Sequence, residues 1–526
     1  MPGLSNESVD LPLAFEQVRN FGGGEDSFRD PIELDPDQSQ HLVNMIVRDK
    51  LKSRTRPGAD PLDGAAPAAK AVRGLKYFST PAYSQLVSAR NAQIYTWNNA
   101  VRTLQVCTPT SGVFPANDTT PVEMAQGVDK LLLSDGVGDM QSWDGAAFTD
   151  MGNTVTDPPV GATILTWHTG RMFASGQATN PDTIYVSNRL NFARGQWNNT
   201  TRSFRVGGGD GDNIVAQVSM QSFMLAVLKQ NSVWLLYTDP RAEPADFSAT
   251  QATEGVSYGV GCVGKKAWCV YGNDLMFMAQ DGVRSLQRME AATGQFQLSA
   301  PLSRAVQPYI DRINPAAASG IVATKYLEFA LFAIPLDNST VNNAVLCWNG
   351  RLGRWMGVWQ GWTPTTWELT RFNAQPHLVF GDSAGLVNQW KDLNPTDIDA
   401  TYQDNALGYA SGLWTRSMTF GDLEAPKSGY NAKVRFNAGN ANLTFTAVGN
   451  DAALNTWAKQ IAPSGDILGT DVLPFLLASQ QPGVLPFSLR GLPSFNEFFL
   501  KIESTTGWWE LRNLTVGARI RPLKVK

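Results

Sequence analysis

The sequence predicts an all-β protein: a β-propeller of about six or seven blades, with an extended N-terminal arm and a C-terminal β-sandwich. The 526 residues include 47 Gly and 30 Pro, together with 16 Trp, 25 Phe and 12 Tyr. Short apolar and aromatic runs alternate with turn signals along most of the chain, which is typical of short strands. One strand–turn–strand segment also occurs twice, and such self-similarity indicates repeated units.

Length and charge limit the classes of function. A chain of 526 residues is too long for one compact core and suggests two to four domains. Charged residues make up 17% of the chain and the formal net charge is −4. This composition excludes a disordered chain and provides no overall basic field for wrapping nucleic acid.

The sequence predicts neither a metal site nor a cofactor. The histidines lie far apart in sequence, at His41, His168 and His377. The cysteines include no CxxC pair and lie at Cys107, Cys262, Cys269 and Cys347. These positions are typical of buried thiols in a protein made in a reducing cytosol.

No targeting or membrane segment is expected. The first ten residues are polar and lack the charged start and apolar run of a signal peptide. The longest apolar runs, such as residues 329–335, are far shorter than the ~20 residues that span a bilayer. We therefore expect a soluble protein without membrane insertion.

Residues 1–75 are predicted to form an extended arm and linker. A single apolar segment, residues 42–47, precedes a run in which every second residue is basic. This basic stripe consists of Arg48, Lys50, Lys52, Arg54 and Arg56. In an extended strand, all five side chains point to one face.

The basic stripe allows two interpretations. One face with five positive charges can contact phosphates or an acidic partner surface. Alternatively, the charges keep a solvated edge strand soluble. A smaller basic cluster at the C-terminus is expected to be a solvated tail, and it consists of Arg519, Arg521, Lys524 and Lys526.

Residues 76–400 are predicted to form the propeller, in units of two to four short strands. Pairs such as Asp135-Gly136 and Asp281-Gly282 supply the positive φ that tight hairpins require. The best helix candidate, residues 302–313, is short and is predicted to join two blades.

The internal repeat is carried by two segments of equal length. Residues 131–143 read LLLSDGVGDMQSW, and residues 378–390 read LVFGDSAGLVNQW. Each has a strand, an Asp, a Gly three positions later, and a second strand ending in Trp. Their constant offset equals five or six units of roughly 40–50 residues, the size of a four-stranded propeller blade.

Residues 401–526 are predicted to form a small β-sandwich. Runs such as residues 442–448 and 498–502 alternate with period 2 and are separated by polar turns. Such alternation places aromatic side chains inward between two sheets.

The candidate catalytic constellations favour structural roles. The loop at residues 207–213, GGGDGDN, offers oxygens that hard cations prefer but lacks a closing Glu and a phosphate-binding Lys-Ser/Thr. A glycosidase needs two facing carboxylates, whereas Asp135, Asp281 and Asp382 each occupy the same turn position. The nucleophile-elbow motif G-x-S-x-G is absent. We therefore expect no enzyme activity.

Tryptophan clusters are a further candidate. Trp355, Trp359 and Trp362 are closely spaced, and Trp508 precedes Trp509. Aromatic clusters can bind sugars or form interfaces. Core packing is the favoured interpretation.

Five motifs resemble a known family. They are QHLVNM at residues 40–45, RTRPG at 54–58, LAVLKQNSVW at 225–234, GVGC at 259–262 and DLMFMAQDGV at 274–283. In this order they are similar to the tail nozzle, or packaged-DNA stabilisation, proteins of short-tailed bacteriophages. The similarity covers most of residues 30–395, and its motifs are structural rather than catalytic.

The resemblance implies a virion tail protein assembled in the host cytoplasm. Proteins of this family form a ring, usually a homo-hexamer, below the portal and the adaptor or head-to-tail connector. The channel retains packaged DNA and passes it during ejection without sequence-specific binding, and tail fibres or spikes are further implied partners. A weakly acidic wall lets DNA slide, whereas a strongly basic lumen would bind it through counterion release. The basic stripe would then contact an acidic neighbouring subunit or the adaptor.

Two alternatives stay open. The first is a β-propeller tail protein that binds or degrades a host surface glycan. The second is a cellular interaction scaffold, which leaves the arm and the sandwich unexplained.

Overall fold

Strands make up nearly all the regular structure, as the sequence predicts. The computed structural model describes residues 12–48, 51–62, 66, 69–98, 103–107, 114–220, 223–239, 241–244, 248–251, 259–286, 301–372, 375–391, 402–439, 441–461 and 481–521. The strands of the N-terminal segment are β1 (Leu13–Val18), β2 (Gly24–Glu25), β3 (Gln38–Val43), β4 (Met45–Val47), β5 (Ser53–Thr55) and β6 (Ala59–Pro61). Those up to residue 205 are β7 (Gly74–Ser79), β8 (Ser84–Arg90), β9 (Gln93–Asn98), β10 (Thr103–Cys107), β11 (Glu123–Gly127), β12 (Lys130–Ser134), β13 (Gln141–Trp143), β14 (Phe148–Asp150), β15 (Ile164–His168), β16 (Arg171–Ser175), β17 (Thr183–Val186) and β18 (Ser203–Arg205).

The remaining strands follow in the same manner. Those up to residue 390 are β19 (Ile214–Ser219), β20 (Met224–Lys229), β21 (Val233–Tyr237), β22 (Ser248–Gln251), β23 (Trp268–Tyr271), β24 (Asp274–Ala279), β25 (Gly282–Ser285), β26 (Val322–Tyr326), β27 (Phe329–Ile334), β28 (Ala344–Asn349), β29 (Arg354–Gln360), β30 (Pro364–Thr370), β31 (His377–Asp382) and β32 (Val387–Trp390). The last are β33 (Gln403–Asp404), β34 (Leu407–Gly408), β35 (Ser411–Thr415), β36 (Lys427–Gly439), β37 (Ala441–Gly449), β38 (Ala452–Ile461), β39 (Gln481–Ser488), β40 (Phe498–Ser504) and β41 (Trp508–Ile520).

Three short helical segments lie in the connection between β25 and β26. A 3-10 turn at Arg304–Val306 leads into the helix α1 (Gln307–Ile310), and a second 3-10 turn follows at Pro315–Gly320. The predicted short joining helix at residues 302–313 is confirmed.

The described residues fall into two compact units. The sandwich unit comprises residues within Met1–Ala59, Cys347–Gln360 and Lys391–Lys526. The propeller unit comprises residues within Asp60–Leu346 and Gly361–Trp390. These bounds differ from the predicted ones, because the N-terminal segment and residues 347–360 join the C-terminal segment.

In the propeller unit, six separate sheets and one further β-hairpin can be counted over the described residues. The sheets are β7–β10, β11–β14, β15–β18, β19–β22, β23–β25, and β30–β32 with β6, and the hairpin is β26–β27. The first strands of these sheets are neighbours in the order β7, β11, β15, β19 and again in the order β23, β26, β30, and β30 returns to β7. This cyclic order is that of a propeller.

Apolar side chains fill the spaces between successive blades. Phe78, Val87 and Leu131 belong to one core between the first two sheets. Between the last sheet and the first, the rings of Phe372 and Trp97 lie 4.9 Å apart in another core. Radial packing of this kind leaves few exposed sheet edges.

In the described residues, the sandwich unit contains two large sheets and the two-stranded sheet β33-β34. One large sheet has the order β39-β36-β41-β5-β4, with β1 along β41, and the other contains β29-β3-β35-β40-β37-β38, with β2 along β3. The ring centroid of Phe445 of β37 lies 4.9 Å from that of Phe487 of β39 and 6.4 Å from that of Phe436 of β36. Aromatic side chains from both sheets therefore form the core, as the period-2 pattern predicts.

The N-terminal segment differs from the predicted extended arm. β1 pairs with β41 from Leu13 opposite Arg519 to Val18 opposite Leu514. β3 pairs with β35, and β4 and β5 form a hairpin beside β41. The physical reason is burial, because the apolar residues Leu42 and Ile46 are completely excluded from solvent and an arm could not bury them.

In both repeated segments, the aspartate side chain caps the turn. In the first copy, Oδ1 of Asp135 accepts hydrogen bonds from the backbone N–H groups of Val137 (2.9 Å) and Gly138 (3.0 Å). In the second copy, Oδ1 of Asp382 accepts from those of Ala384 (2.9 Å) and Leu386 (2.8 Å). This confirms the structural role predicted for both aspartates.

Replacing Asp382 by Ala is expected to lower the free energy of unfolding by about 1–3 kcal/mol, because the backbone donors of the turn and the buried Asn388 amide, 2.9 Å from Oδ2, lose their acceptor. Urea unfolding measures the change. The control is Asp129→Ala, since Asp129 is exposed in a turn and should change stability by less than about 0.5 kcal/mol. Equal effects of the two substitutions would contradict the role of the buried carboxylate.

Candidate functional site

The inner strands of the propeller unit line two adjoining cavities. The larger, of about 640 Å³, is bounded by β7, β11, β15, β19 and the segment 265–268. The smaller, of about 350 Å³, is bounded by β7, β11, β23, β26 and β30. Both share Lys76, Glu123, Lys266 and Trp268. We refer to them together as the central cavity.

Two ion pairs lie in the central cavity. Nζ of Lys76 is 3.1 Å from Oε1 and 3.2 Å from Oε2 of Glu368. Nζ of Lys266 is 3.3 Å from Oε2 of Glu123. The charge of Glu368 holds the pKa of Lys76 above its usual value despite partial desolvation. Both carboxylates of the cavity are thereby neutralised.

Two further lysines add positive charge that these glutamates do not balance. Lys265 and Lys325 line the cavity, and among the described residues neither has a carboxylate within 4.0 Å. Nζ of Lys325 lies 5.9 Å from the centroid of the Tyr271 ring. Desolvation lowers the pKa of Lys265, the neighbouring Lys266 lowers it further, and Glu123 opposes both effects. The central cavity therefore has a surplus of positive charge.

His168 makes a Ser–His contact at the edge of the larger cavity. Its Nδ1 lies 2.8 Å from Oγ of Ser219, and its Nε2 lies 2.9 Å from Oγ1 of Thr238. Because the Thr238 hydroxyl donates to the carbonyl of Phe223 at 3.1 Å, Nε2 must carry the proton and donate to Thr238. Nδ1 then accepts from the Ser219 hydroxyl.

This contact lacks the orienting carboxylate of a catalytic triad. Burial lowers the pKa of His168 to about 4, which makes the imidazole a weak base. The hydrogen bonds instead join β15 to β19 and to Thr238, the residue after β21. The sequence prediction that His168 is a blade residue is confirmed, whereas its serine partner was not anticipated.

The glycine-rich loop is a structural turn, as predicted. Nζ of Lys229, which is fully buried, lies 2.8 Å and 2.6 Å from the two carboxylate oxygens of Asp210. Asp212 accepts from the backbone of Asn231 (3.1 Å) and the hydroxyl of Ser232 (2.7 Å). Protein donors thus occupy the carboxylates that a cation would need. Across the part of the chain that the structure describes, no group of three or more His, Cys, Asp or Glu side chains could hold a metal ion.

The thiols behave as the sequence predicts. Cys262, Cys269 and Cys347 are buried, and Cys107 is half-buried. Burial raises the pKa of Cys262 and of Cys269 to about 12, so neither thiol is activated. No helix in the described ranges is both long and apolar enough to cross a bilayer.

The basic stripe is not one extended strand. β4 ends at Val47, the chain reverses through Leu51 with φ of 53°, and β5 returns antiparallel to β4. The side chains therefore do not share one face. Lys50 lies outside the described residues. Nζ of Lys52 forms an ion pair with Oε1 of Glu510 at 3.2 Å.

Arg56 is the most deeply buried member of the stripe, with no solvent exposure. Its guanidinium donates to Oδ2 of Asp404 at 2.7 Å, to Oδ1 of Asn44 at 2.9 Å and to the carbonyl of Gln360 at 3.0 Å. It also lies 4.2 Å from the centroid of the Tyr409 ring. Arg56 consequently has no surface for the predicted partner contact. For Arg48, Lys50, Lys52 and Arg54, that contact stays a prediction.

The tryptophan clusters pack in the cores. The side chains of Trp355, Trp359, Trp362, Trp508 and Trp509 are all buried, which confirms the favoured interpretation. In the C-terminal basic cluster, Arg521 donates to Oγ of Ser428 at 2.6 Å, and the guanidinium of Arg519 lies 5.6 Å from the Tyr430 ring centroid. Lys524 and Lys526 lie outside the described residues.

No protein-family model matches the chain, and no curated protein matches it. Solved structures that are similar to it include U3-55K, at 11% identity and a TM-score of 0.40, over 63% of this chain and 98% of that one. BamB from Moraxella catarrhalis has 10% identity and a TM-score of 0.37, over 68% and 98%. The RRP9 WD40 repeats have 12% identity and a TM-score of 0.40, over 64% and 98%. At sequence identities and TM-scores this low, the similarity says nothing about function.

Replacing Arg56 by Met is expected to lower the free energy of unfolding by about 3–5 kcal/mol, because Asp404 and Asn44 lose their buried partner. Urea unfolding gives the value. The double variant R56M/D404L should recover part of the loss, since it removes both charges. Lys52→Met is the control, because its partly exposed ion pair should contribute only about 0–1 kcal/mol. A loss for Arg56→Met no larger than that for Lys52→Met would contradict the assignment.

Stability is expected to fall as the pH drops from about 6.5 to about 4, in part through His168. The pKa of this histidine is about 4 in the folded protein, below its ordinary 6.5, so the unfolded chain binds more protons in that window. The His168 contribution is complete above pH 6.5 and is lost towards pH 4. Free energies of unfolding at pH 7 and pH 5 should differ less for His168→Gln than for the wild type. His377→Gln is the control, and unchanged pH dependence in His168→Gln would refute the effect.

Proposed function

We propose that the protein is a structural component of the tail of a short-tailed bacteriophage. In this proposal it forms the ring-shaped nozzle below the portal and adaptor, retains packaged DNA and provides the channel for its ejection. The observation that carries the proposal is the position of the resembling motifs. Residues 225–234 span the hairpin of β20 and β21, and residues 274–283 span the hairpin of β24 and β25. The resemblance therefore rests on the propeller scaffold.

The bonding of the carboxylates also favours a scaffold over a hydrolase. Asp135 and Asp382 accept backbone hydrogen bonds within their turns. Glu123 and Glu368 in the central cavity are each paired with a lysine. A glycosidase requires one carboxylate as acid and another as base or nucleophile. None of these four is available in that form.

The net charge of −4 suits a channel protein that DNA passes without sequence-specific contacts, because few counterions would be released on contact. In the proposal the ring is a homo-hexamer in the virion. The basic stripe around Arg48 and Lys50 contacts the adaptor or an acidic neighbouring subunit, and tail fibres or spikes are further partners.

A second candidate function is binding of a host surface glycan. The central cavity favours it, because the cavity is lined by Trp167 and Trp268 as well as charged and amide side chains. Ligand sites commonly combine an apolar lining with a few polar groups.

Ring assembly can be tested by light scattering of the full chain, alone and with purified adaptor. In the presence of the adaptor, we expect a discrete species whose mass equals that of six copies of the chain plus the bound adaptor. The double reversal R48E/K50E should reduce its yield, since it removes positive charge from the proposed contact.

The matched control is K433E/R435E, which reverses two exposed charges on β36 and should leave the ring intact. A chain that stays monomeric beside the adaptor and other tail components would refute the nozzle proposal. Full assembly of R48E/K50E would refute only the role of the basic stripe.

A further inference from the structure

The central cavity holds more positive than negative charge. Its lysines are Lys76, Lys265, Lys266 and Lys325, and its glutamates are Glu123 and Glu368. The glutamates are already paired with Lys76 and Lys266. Lys265 has no side-chain partner of this kind among the described residues, and its side chain is exposed. Its ammonium group is therefore open to contact with an anion.

An unsatisfied acceptor accompanies this charge. Gln217 of β19 lines the larger cavity and is only 2% exposed. Its Nε2 donates to Oγ of Ser175 at 2.7 Å, but its Oε1 has no hydrogen-bond partner. An unpaired buried amide oxygen is costly, so a hydroxyl or amide donor from a ligand would stabilise this position.

The aromatic surfaces of the cavity are fixed by their neighbours. A Cβ atom at Gly127 would come within 2.4 Å of the Trp167 ring, so the indole lies directly against β11. Nε1 of Trp268 donates to the carbonyl of Lys265 at 2.8 Å, which holds that indole close to the backbone of the unpaired lysine. Rigid aromatic rings beside a cation provide an apolar face and a charge together.

We propose that the central cavity binds an acidic saccharide, that is, a sugar bearing a carboxylate or phosphate group. Lys265, with Lys266, faces the acidic group, Trp167 and Trp268 contact the apolar face of the ring, and Gln217 accepts from a hydroxyl. The volume of about 640 Å³ lies within the range of small-molecule sites. This proposal rests on glycan binding, the second candidate function, and names the class of sugar. It does not depend on ring assembly.

Nucleic acid fits this cavity less well. Binding a strand requires a positive groove that follows several successive phosphates. Here the unbalanced charge is confined to one compact space in which two glutamates also lie. A carboxylate or phosphate group on a single sugar, by contrast, needs only one or two lysines.

The test uses the full chain and saturation-transfer NMR with three probes: glucuronate, glucose 6-phosphate and glucose. Both acidic sugars should bind, and glucose should bind at least about tenfold more weakly. Lys265→Gln should weaken binding of the acidic sugars about tenfold, because Lys265 is exposed to the cavity and its loss removes one charge. Lys130→Gln, at the start of β12 and outside the cavity lining, is the matched control and should bind as the wild type does.

Four results would overturn the proposal. They are absence of binding by both acidic sugars, equal binding of glucose, unchanged binding by Lys265→Gln, and equal affinity for inorganic phosphate, which would show an anion site without sugar recognition. Complete displacement by a single-stranded oligodeoxynucleotide would instead identify a nucleic-acid site. None of these results bears on ring assembly, which light scattering tests separately. Failure of the saccharide proposal can therefore be distinguished from failure of the nozzle proposal.

Discussion

Closure of the ring is the constraint on which the propeller unit depends. A four-stranded blade buries its faces only against two neighbours, so the last blade must pack on the first. The core that contains Trp97 and Phe372 supplies this contact. β6, which precedes the first blade in sequence, adds the outer strand of the last sheet through β32, and the N–H of Leu62 donates to the carbonyl of Val387 at 2.8 Å. Such pairing joins residues more than three hundred positions apart and must overcome the entropy of closing a long loop.

The central cavity is a consequence of that closure. Lys76 and Glu368 are 292 residues apart in sequence, yet their strands β7 and β30 are neighbours because the ring closes between them. Each blade contributes its inner strand, so side chains from distant parts of the chain converge on one space. The ion pairs there limit the charge repulsion among lysines, and the residual positive charge is what gives the cavity a preference for anions.

The sequence predicts the features that depend on local pattern. The matching segments 131–143 and 378–390 each form an aspartate-capped turn, because an Asp side chain can accept hydrogen bonds from the backbone N–H groups that follow it. The basic stripe could not be interpreted correctly, since its reversal passes through Leu51, a residue type that rarely adopts positive φ. The cavity could not be predicted from the sequence either, because Lys76, Lys265 and Lys325 share no motif and only ring closure brings them together. The partnership of His168 with Ser219 is non-local in the same sense.

Burial decides what each basic residue does, whatever the local pattern suggests. Arg56 belongs to an alternating basic run, yet it is fully enclosed and satisfied by Asp404, Asn44 and a backbone carbonyl. Its planar fork of donors suits several fixed acceptors at once, which a lysine ammonium would not match. Lys265 belongs to no pattern and is exposed, without an ion-pair partner among the described residues. The partners of Arg56 all lie within the chain, so Arg56 stabilises the fold. Lys265 keeps a positive charge that a bound anion would balance.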